Sequence, residues 1–265
     1  MFAQMRHMAI VTGNADQEGN FYRDIFGMKR SALQRAGGAV VVGDGYVGLN
    51  LNPRAPGRQA GFDHFGFEVQ DTELVFSRLK GKYAKCEVLR RPSNRPFAGI
   101  SMHDPNGNVF DLSQLNMENR RDLYTDKVED RKRRVGHFAL RCVDPDLCGE
   151  FYRDVFELTE MEKPANDPNH YLSDGKVTLV VMPWKIADFY GSGIERPALD
   201  HIGFKVESMA AFKADVEKYA PLYEVKEDRP EKNPEREVRQ KLLASCCYGQ
   251  YQMSDPDGVL IDVSE

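Results

Sequence analysis

Short apolar runs and one amphipathic stretch recur in a fixed order along the chain. In Phe21–Phe26 the apolar residues stand at i, i+1, i+4 and i+5, the stripe of an amphipathic helix, and Gly27 follows as its stop. The strand-like run Met8–Val11 precedes this helix, and the hairpin signal Asp44-Gly45 follows it. The pattern predicts the order strand, helix, strands.

The same pattern returns about 130 residues later, close to half the chain. Phe151–Phe156 repeats the helix, with Phe138–Cys142 before it and the hairpin signal Asp174-Gly175 after it. Because a fixed repeat period is the signature of a duplicated structural unit, we interpret the two halves as copies of one fold.

A second unit occurs once in each half. Asp63–Phe67 matches Asp200–Phe204. Each of these units ends in an Asp-Pro-x-Gly turn, Asp104–Gly107 or Asp255–Gly258, which a last strand follows. The sequence therefore predicts an α+β protein of four tandem βαβββ modules.

The domain boundary is expected near residue 130. Residues 116–134 mix both charges densely with few apolar residues, which is typical of a solvated linker. We predict a first domain at 1–130, with its linker from about residue 116, and a second at 131–265. Lys226–Gln240, rich in proline and charge, has no equal in the second module and is predicted as a mobile surface loop.

Four of the six histidines occupy the same register at the start of the four modules: His7, His64, His137 and His201. Each is followed by an apolar, a small and an apolar residue. Residues i and i+2 of a strand share a face, so the small residue leaves room beside each imidazole. The alternative is that duplication copied a histidine that only packs or forms hydrogen bonds.

The last strands of the second and fourth modules each carry an acid at the same distance from the preceding turn, Asp111 and Asp262. Two imidazoles and a carboxylate with open coordination positions suit non-haem Fe(II), and Mn(II) or Zn(II) can use the same set. The alternative is an ordinary polar position on a half-exposed strand.

These landmarks resemble the vicinal oxygen chelate superfamily, of the glyoxalase, bleomycin resistance protein and extradiol dioxygenase type, over nearly the whole chain. In that family two modules join in a cupped mixed β-sheet around a metal. The ligands come from the first strands of both modules and the last strand of the second. The resemblance implies one ligand set in each half: His7, His64 and Asp111, and His137, His201 and Asp262.

The chain departs from the family pattern in three places. The family's carboxylate is usually Glu, which reaches one methylene farther than Asp. Glyoxalase I takes a fourth ligand from the end of the first module, where this chain has Asn50 and Val180. The set in the C-terminal half resembles type I extradiol dioxygenases, but Tyr251 is followed by three residues rather than two before Asp255-Pro256.

Three weaker candidates could transfer protons near the second site: His170, Tyr248 and Tyr251. For each of them, packing or a solvent-facing ring is the alternative. The formal GxGxxG match at Gly43–Gly48 lies at a hairpin with no helix after it, which excludes a dinucleotide site.

Composition narrows the class of partner. The 265 residues suffice for two ordinary domains, and no apolar run approaches the roughly 18 residues that span a bilayer. The net charge of -5 argues against nucleic acid, and five cysteines without a CxxC pair argue against a disulfide framework. No secretory signal is visible. We expect a cytoplasmic protein with neither a nucleic acid nor a membrane partner, and leave a homo-oligomer open.

The resemblance implies a metalloenzyme whose substrate is a small molecule with two vicinal oxygens. The leading hypothesis is an Fe(II) extradiol-type dioxygenase that cleaves a catechol-like ring. The alternatives are a non-redox lyase or isomerase of glyoxalase type that uses Mn(II), Zn(II) or Ni(II), and a metal-free binding or resistance protein. Because the two cups differ at Asn50 and Val180 and in the predicted loop, we expect the C-terminal ligand set to matter more for turnover.

Overall fold

The computed structural model describes residues 1–33, 37–117, 122–125, 131–186, 188–189, 196–223, 226–227 and 249–265. Module 1 consists of β1 (Ala3–Thr12), α1 (Ala15–Phe26), β2 (Lys29–Arg30), β3 (Val40–Gly43) and β4 (Gly48–Pro53). Module 2 consists of β5 (Gly61–Val69), α2 (Thr72–Leu79), β6 (Val88–Arg90), β7 (Ile100–His103) and β8 (Val109–Gln114).

The second half repeats this order. Module 3 consists of β9 (Arg134–Cys142), α3 (Pro145–Phe156), β10 (Thr159–Glu160), β11 (His170–Ser173) and β12 (Thr178–Pro183). Module 4 consists of β13 (Leu199–Lys205), α4 (Met209–Tyr219), β14 (Lys226–Glu227), β15 (Tyr251–Ser254) and β16 (Leu260–Ser264). The predicted α+β fold of four βαβββ modules is confirmed.

Each half forms one mixed eight-stranded sheet. The strand orders are β2-β3-β4-β1-β5-β8-β7-β6 and β10-β11-β12-β9-β13-β16-β15-β14. In both sheets the two modules meet along an antiparallel pair, β1 with β5 and β9 with β13. Each of these four central strands also pairs in parallel with the last strand of its own module. The histidines at the module starts therefore lie in the centre of each sheet.

Two of the predicted boundaries fall largely outside the described residues. The domain boundary near residue 130 is not described and stays a prediction, and of the predicted loop only 226–227 are described. Within the linker, Leu123 is 2% exposed, which differs from the solvated segment that its charge content predicted. No helix in the described part of the chain is long and apolar enough to cross a membrane.

Helix α1 begins and ends where the sequence predicts. The side chain of Asn14 accepts a hydrogen bond from the backbone N–H of Gln17, which satisfies one free donor of the first turn. Gly27 ends the helix in the left-handed region, with φ 66°. The copy α3 ends in the same conformation at Glu157, φ 56°, without a glycine. The predicted apolar stripe is buried in α1: Phe21, Tyr22, Ile25 and Phe26.

The two halves share one hydrophobic core. Phe26 of α1 stacks on Phe204 of the second sheet, with ring centroids 3.9 Å apart. Phe156 of α3 stacks reciprocally on Phe67 of the first sheet, with centroids 4.3 Å apart. Each of these helices therefore packs on its own sheet and also covers a phenylalanine of the other half.

Buried turn aspartates connect the halves. The hydroxyl of Tyr22 donates to Asp255 at 2.9 Å, and the hydroxyl of Tyr152 donates to Asp104 at 2.9 Å. Both aspartates are the first residues of the Asp-Pro-x-Gly turns. Asp104 also accepts a backbone N–H bond from Asn106 within its turn, and Asp255 accepts one from Val259, directly after its turn. One carboxylate therefore fixes the turn before a last strand and joins that turn to the other half.

The hairpin aspartates make a second reciprocal pair of contacts between the halves. Asp174 accepts a hydrogen bond from the backbone N–H of Met5 at 2.6 Å. Asp44 accepts one from the backbone N–H of Val135 at 2.8 Å. Burial is the main cause that raises the pKa of both carboxyls. The start of the first strand in each half is thus held by a hairpin of the other half.

The first testable prediction concerns Glu18, which is 1% exposed beside Asp255. Burial, followed by the charge of Asp255, raises the pKa of Glu18 far above its ordinary value of 4.5, so the native pair retains a proton at neutral pH. The unfolded chain releases that proton above about pH 4.5, so the native state binds more protons and stability falls as pH rises. One proton gives a slope of up to about 1.4 kcal/mol per pH unit.

Glu18→Gln keeps a donor for Asp255 without requiring a bound proton. We therefore expect its free energy of unfolding, measured by urea titration at pH 5, 6.5 and 8, to fall less steeply with pH than that of the wild type. The exposed Glu217→Gln on α4 is the matched control. Equal slopes for Glu18→Gln and the wild type would contradict a shared proton at this interface.

Candidate metal centres

The central strands of each sheet place every histidine opposite a small residue. In the second sheet His137 lies opposite Gly203, and His201 lies opposite Ala139. The first sheet repeats this register with His7 opposite Gly66 and His64 opposite Ala9. The small residue two positions after each histidine therefore makes room for the histidine of the neighbouring strand.

The size of these residues is a steric requirement. A Cβ atom added at Gly203 would overlap the imidazole of His137. A Cβ at Gly66 would lie 3.2 Å from the Cβ of His7 and 2.9 Å from the backbone oxygen of Asp111. The two imidazoles of each half can approach one another only because the facing position carries no larger side chain.

The second half brings the predicted ligand set together. The Nε2 atoms of His137 and His201 are 3.2 Å apart, and Nε2 of His137 lies 3.4 Å from Oδ2 of Asp262. The three donor atoms all lie within 4.8 Å of one another. The three residues are 3%, 0% and 1% exposed. Two nitrogens and one carboxylate oxygen that converge in a buried site fit a divalent transition metal.

Further contacts orient these donors. Nδ1 of His201 contacts Oδ2 of Asp200 at 2.7 Å, which leaves Nε2 directed at the cluster. Asp200 in turn accepts from Nε of the buried Arg141 at 3.0 Å. Burial raises the pKa of Asp200, but His201 and Arg141 outweigh burial and hold that pKa well below its usual range. The carboxylate therefore stays charged beside the imidazole.

Hydrogen bonds from β15 and from the segment directly before it orient Asp262. Its Oδ1 accepts from Nε2 of Gln252 at 2.9 Å, and its Oδ2 accepts from the backbone N–H of Gly249 at 2.9 Å. Burial raises the pKa of Asp262, yet the contacts with His137 and Gln252 lower it below the ordinary value. Burial, followed by His201 and Lys205 among the nearby charges, lowers the pKa of His137. Neutral imidazole is the form that binds a metal.

The first half brings together a similar set. Nε2 of His64 lies 3.3 Å from Nε2 of His7 and 3.1 Å from Oδ2 of Asp111, and its Nδ1 lies 2.9 Å from Oδ2 of Asp63. Burial lowers the pKa of His64, but the hydrogen bonds and charges of Asp111 and Asp63 outweigh burial. Together they raise this pKa above its ordinary value, to about 9. A metal that binds Nε2 of His64 must therefore displace a proton.

The cup of the first half is filled by its own side chains. The ring of Phe97 stacks on His7, with centroids 4.7 Å apart and planes 8° apart. Gly48, which pairs with His7, has the hydroxyl of Tyr124 2.6 Å from the position where a Cβ would stand. Arg91 approaches Oδ1 of Asp111 to 3.5 Å. Part of the predicted linker therefore enters this cup.

The second half has a cavity beside His137 at the corresponding place. Thr178 pairs with His137 as Gly48 pairs with His7. A cavity of about 490 Å³ lies here; His137 and Thr178 are among its lining residues. An apolar patch adjoins the cluster on the same face: Ala139, Val180, Met182 and Tyr171. The cavity thus leaves room for a small molecule beside His137, the one member of the ligand set among its lining residues.

The structure places two of the three proton-transfer candidates away from the second cluster. His170 contacts Glu160 through Nδ1 and Asp146 through Nε2, and its ring packs against Gly149 of α3, on the helix side of the sheet. Tyr251 packs against Phe212 of α4, with centroids 5.7 Å apart, on that side too. Tyr248 lies outside the described residues.

Sequence reasoning missed several residues that shape the site. Asp63 directly precedes His64, and Asp200 directly precedes His201. This repeated Asp-His pair was the sequence signal for the orienting role of the two aspartates. Gln252 could be found only from the pairing of β15 with β16, which places it opposite Asp262. Arg141 could be found only once the second sheet placed it beside Asp200.

Comparison with known proteins agrees with this geometry. Residues 4–112 match the model of the Glyoxalase/Bleomycin resistance protein/Dioxygenase superfamily. No curated protein sequence matches the chain. Residues 4–112 are therefore similar to this superfamily, and the second half of the chain repeats the same fold.

Solved structures share the fold over nearly the whole chain. BphC, a halotolerant catechol dioxygenase, is 16% identical with a TM-score of 0.61, over 99% of this chain and 86% of that one. The 2,3-dioxygenase LapB from Pseudomonas sp. KL28 is 16% identical, TM-score 0.61, over 98% and 91%. A Mn(II)-bound glyoxalase from Novosphingobium aromaticivorans is 13% identical, TM-score 0.65, over 99% and 81%. At these identities the likeness shows the fold alone.

The second testable prediction concerns Gly203. In a chain that carries His64→Ala, so that the second cluster is the site observed, Gly203→Ala should weaken Mn(II) binding by about 10-fold or more, because the methyl group displaces the imidazole of His137. Gly136→Ala is the control, since its Cβ meets only the flexible side chain of Lys205. Calorimetric titration measures both; unchanged affinity in Gly203→Ala would exclude His137 as a ligand.

The third testable prediction separates the orientation of His201 from general damage to the fold. Asp200→Asn removes the charge beside Nδ1 and should weaken Mn(II) binding by about 10-fold in the same His64→Ala background. Asp188→Asn is the control, because Asp188 lies 3.7 Å from Arg141 and the described contacts do not join it to the imidazole. Equal losses in both variants would show that Asp200 acts only through Arg141 and the stability of the fold.

Proposed function

We propose that the chain is a metal-dependent enzyme whose second cluster binds Fe(II) through His137, His201 and Asp262. The substrate is a catechol-like small molecule with two vicinal oxygens, and the reaction is extradiol cleavage of its ring. The observation that carries the proposal is the pairing of three convergent donors with an open cavity in the second cup. Known dioxygenases with the same fold support the reaction class.

The first cluster has a different role in this proposal. His7, His64 and Asp111 have the same donor types, so they could also hold a metal. Phe97 and Tyr124 occupy the space that a substrate would need beside them. We therefore assign turnover to the second cup alone.

The residues of the second cup would bind and orient the substrate. A bound Fe(II) would supply Lewis acidity and redox chemistry at the substrate oxygens. Asp200 and Arg141 fix the direction of His201, and Gln252 fixes Asp262, so the donors need little rearrangement to bind a metal. The apolar patch beside them keeps polar groups and water away from this side of the donors.

The proton-transfer group of this reaction is not assigned to His170 or Tyr251. Both rings lie on the helix side of the sheet, away from the cavity. Of the three candidates, only Tyr248 stays a prediction.

A second candidate function is non-redox chemistry of glyoxalase type with Mn(II), Zn(II) or Ni(II). One observation favours it, and it places this candidate function in the first cup: among the described residues no group donates to Oδ1 of Asn50, which is buried. Asn50 pairs with Ala9, the residue opposite His64, and so lies at the place where a fourth ligand is expected. A Mn(II)-bound glyoxalase has the same fold. No contact in the described residues favours the metal-free binding protein.

The fourth testable prediction compares the two halves. After anaerobic loading with Fe(II), the wild type should consume dioxygen in the presence of a catechol. His201→Ala should lower this rate by at least about 100-fold because it removes a ligand of the proposed catalytic metal. The matched variant His64→Ala should retain the rate within about 3-fold. An oxygen electrode and elemental analysis measure rate and metal content.

Three outcomes would contradict the proposal in different ways. Loss of activity in His64→Ala but not in His201→Ala would show that the proposal assigns catalysis to the wrong half. Stoichiometric metal without dioxygen uptake on any catechol would favour the non-redox candidate. The absence of stoichiometric metal after loading would exclude both enzymes.

A further inference from the structure

The cavity of the second cup has a cationic wall. Its lining includes three basic residues, Arg134, Lys176 and Lys205, and among its lining residues Glu265 is the single acid. The carboxylate of Glu265 accepts a hydrogen bond from the backbone N–H of Met209. Apart from His137, the remaining polar side chains of the lining carry neutral hydroxyl groups: Ser173, Thr178 and Ser264.

Two of these cations lie on neighbouring strands at one end of the cup. Lys205 pairs directly with Arg134, and on its other side with Ser264. Lys205 stands two residues beyond Gly203, the residue opposite His137. At about 3.3 Å per strand residue, the pair begins roughly 7 Å from the imidazole. One substituted aromatic ring spans such a distance.

This charge is absent from the same place in the first sheet. There Gln4 pairs with Glu68 in the register that Arg134 and Lys205 have in the second sheet. Tyr46, which follows Gly45 in the first hairpin, takes the place of Lys176. The cations are therefore no requirement of the repeated fold, and they occur in the cup that has a cavity.

Like charges on directly paired strands repel one another and lower the stability of a sheet. Within the described part of the chain neither Arg134 nor Lys205 forms an ion pair with a carboxylate. The positive potential at this end of the cup is therefore available to a ligand that enters the cavity.

We propose that the substrate of the second cup carries a carboxylate, which Arg134 and Lys205 bind while the rest of the molecule extends toward His137. The part of the inference that directs the other end of the substrate toward a metal rests on the proposed function. Its anion-binding part depends only on the cavity and its cations. The planar guanidinium of Arg134 can donate two parallel hydrogen bonds to one carboxylate, and Lys205 adds a second positive charge.

The test compares acids with neutral amides of the same shape. Anaerobic, Mn(II)-loaded protein is titrated calorimetrically with 3,4-dihydroxybenzoate and 3,4-dihydroxybenzamide, and then with benzoate and benzamide, which lack vicinal oxygens. We expect the wild type to bind each acid at least about 10-fold tighter than its amide, a difference of about 1.4 kcal/mol. Lys205→Met and Arg134→Met should each remove most of this preference and leave the affinity for the amides within about 2-fold.

Lys218→Met is the matched control, because it removes one positive charge from exposed α4 outside the cavity and should leave the acid preference intact. Equal affinity of acid and amide in the wild type would overturn the inference, as would an acid preference that persists in both cavity variants. Absence of measurable binding by both acids would overturn it too.

The two benzoate probes separate this inference from the proposed function. If benzoate keeps its preference over benzamide but the hydroxyl groups add no affinity and no dioxygen is consumed, the anion site stands and the dioxygenase does not. If catechol is turned over without any acid preference, the dioxygenase stands and the anion site does not.

Discussion

The arrangement of the molecule depends on one steric constraint, the small size of the residues opposite the histidines of the central strands. A one-residue slip of β13 against β9 would turn His201 and Gly203 to the opposite face and bring a bulky residue against His137. The register that relieves this overlap also directs both imidazoles to one point. Joining two modules along this seam therefore creates the cluster and the centre of the eight-stranded sheet together.

The third donor reaches the cluster through contacts made by the other half of the chain. Asp262 lies on β16, whose preceding turn is fixed by Asp255, and Asp255 accepts its buried hydrogen bond from Tyr22 of the first half. Phe26 packs beside this contact on Phe204. The first half, whose own cup is filled, is thus needed to position the carboxylate of the second.

Local patterns predicted the modules and both ligand sets, because helix stripes, turn residues and alternating strands are encoded within a few positions. The pairing of strands was not encoded in this way. His170 was assigned to the second site, but its position in β11 turns it toward α3. The pairing of Arg134 with Lys205 depends on a register shift between β9 and β13. Tyr124 stands in a charged segment that looked solvated, and only the folded sheet shows that Gly48 leaves space for its hydroxyl.

The two cups show how copies of one fold diverge while the ligand types stay the same. In the first, Phe97 and Tyr124 fill the space beside the cluster, and these contacts stabilise the half that supports its partner. In the second, Thr178 replaces Gly48, a cavity remains, and two cations face each other at its end. Paired like charges lower stability. Because the first cup shows that the fold can avoid this cost, the paired cations of the second cup are better explained by a ligand than by the requirements of folding.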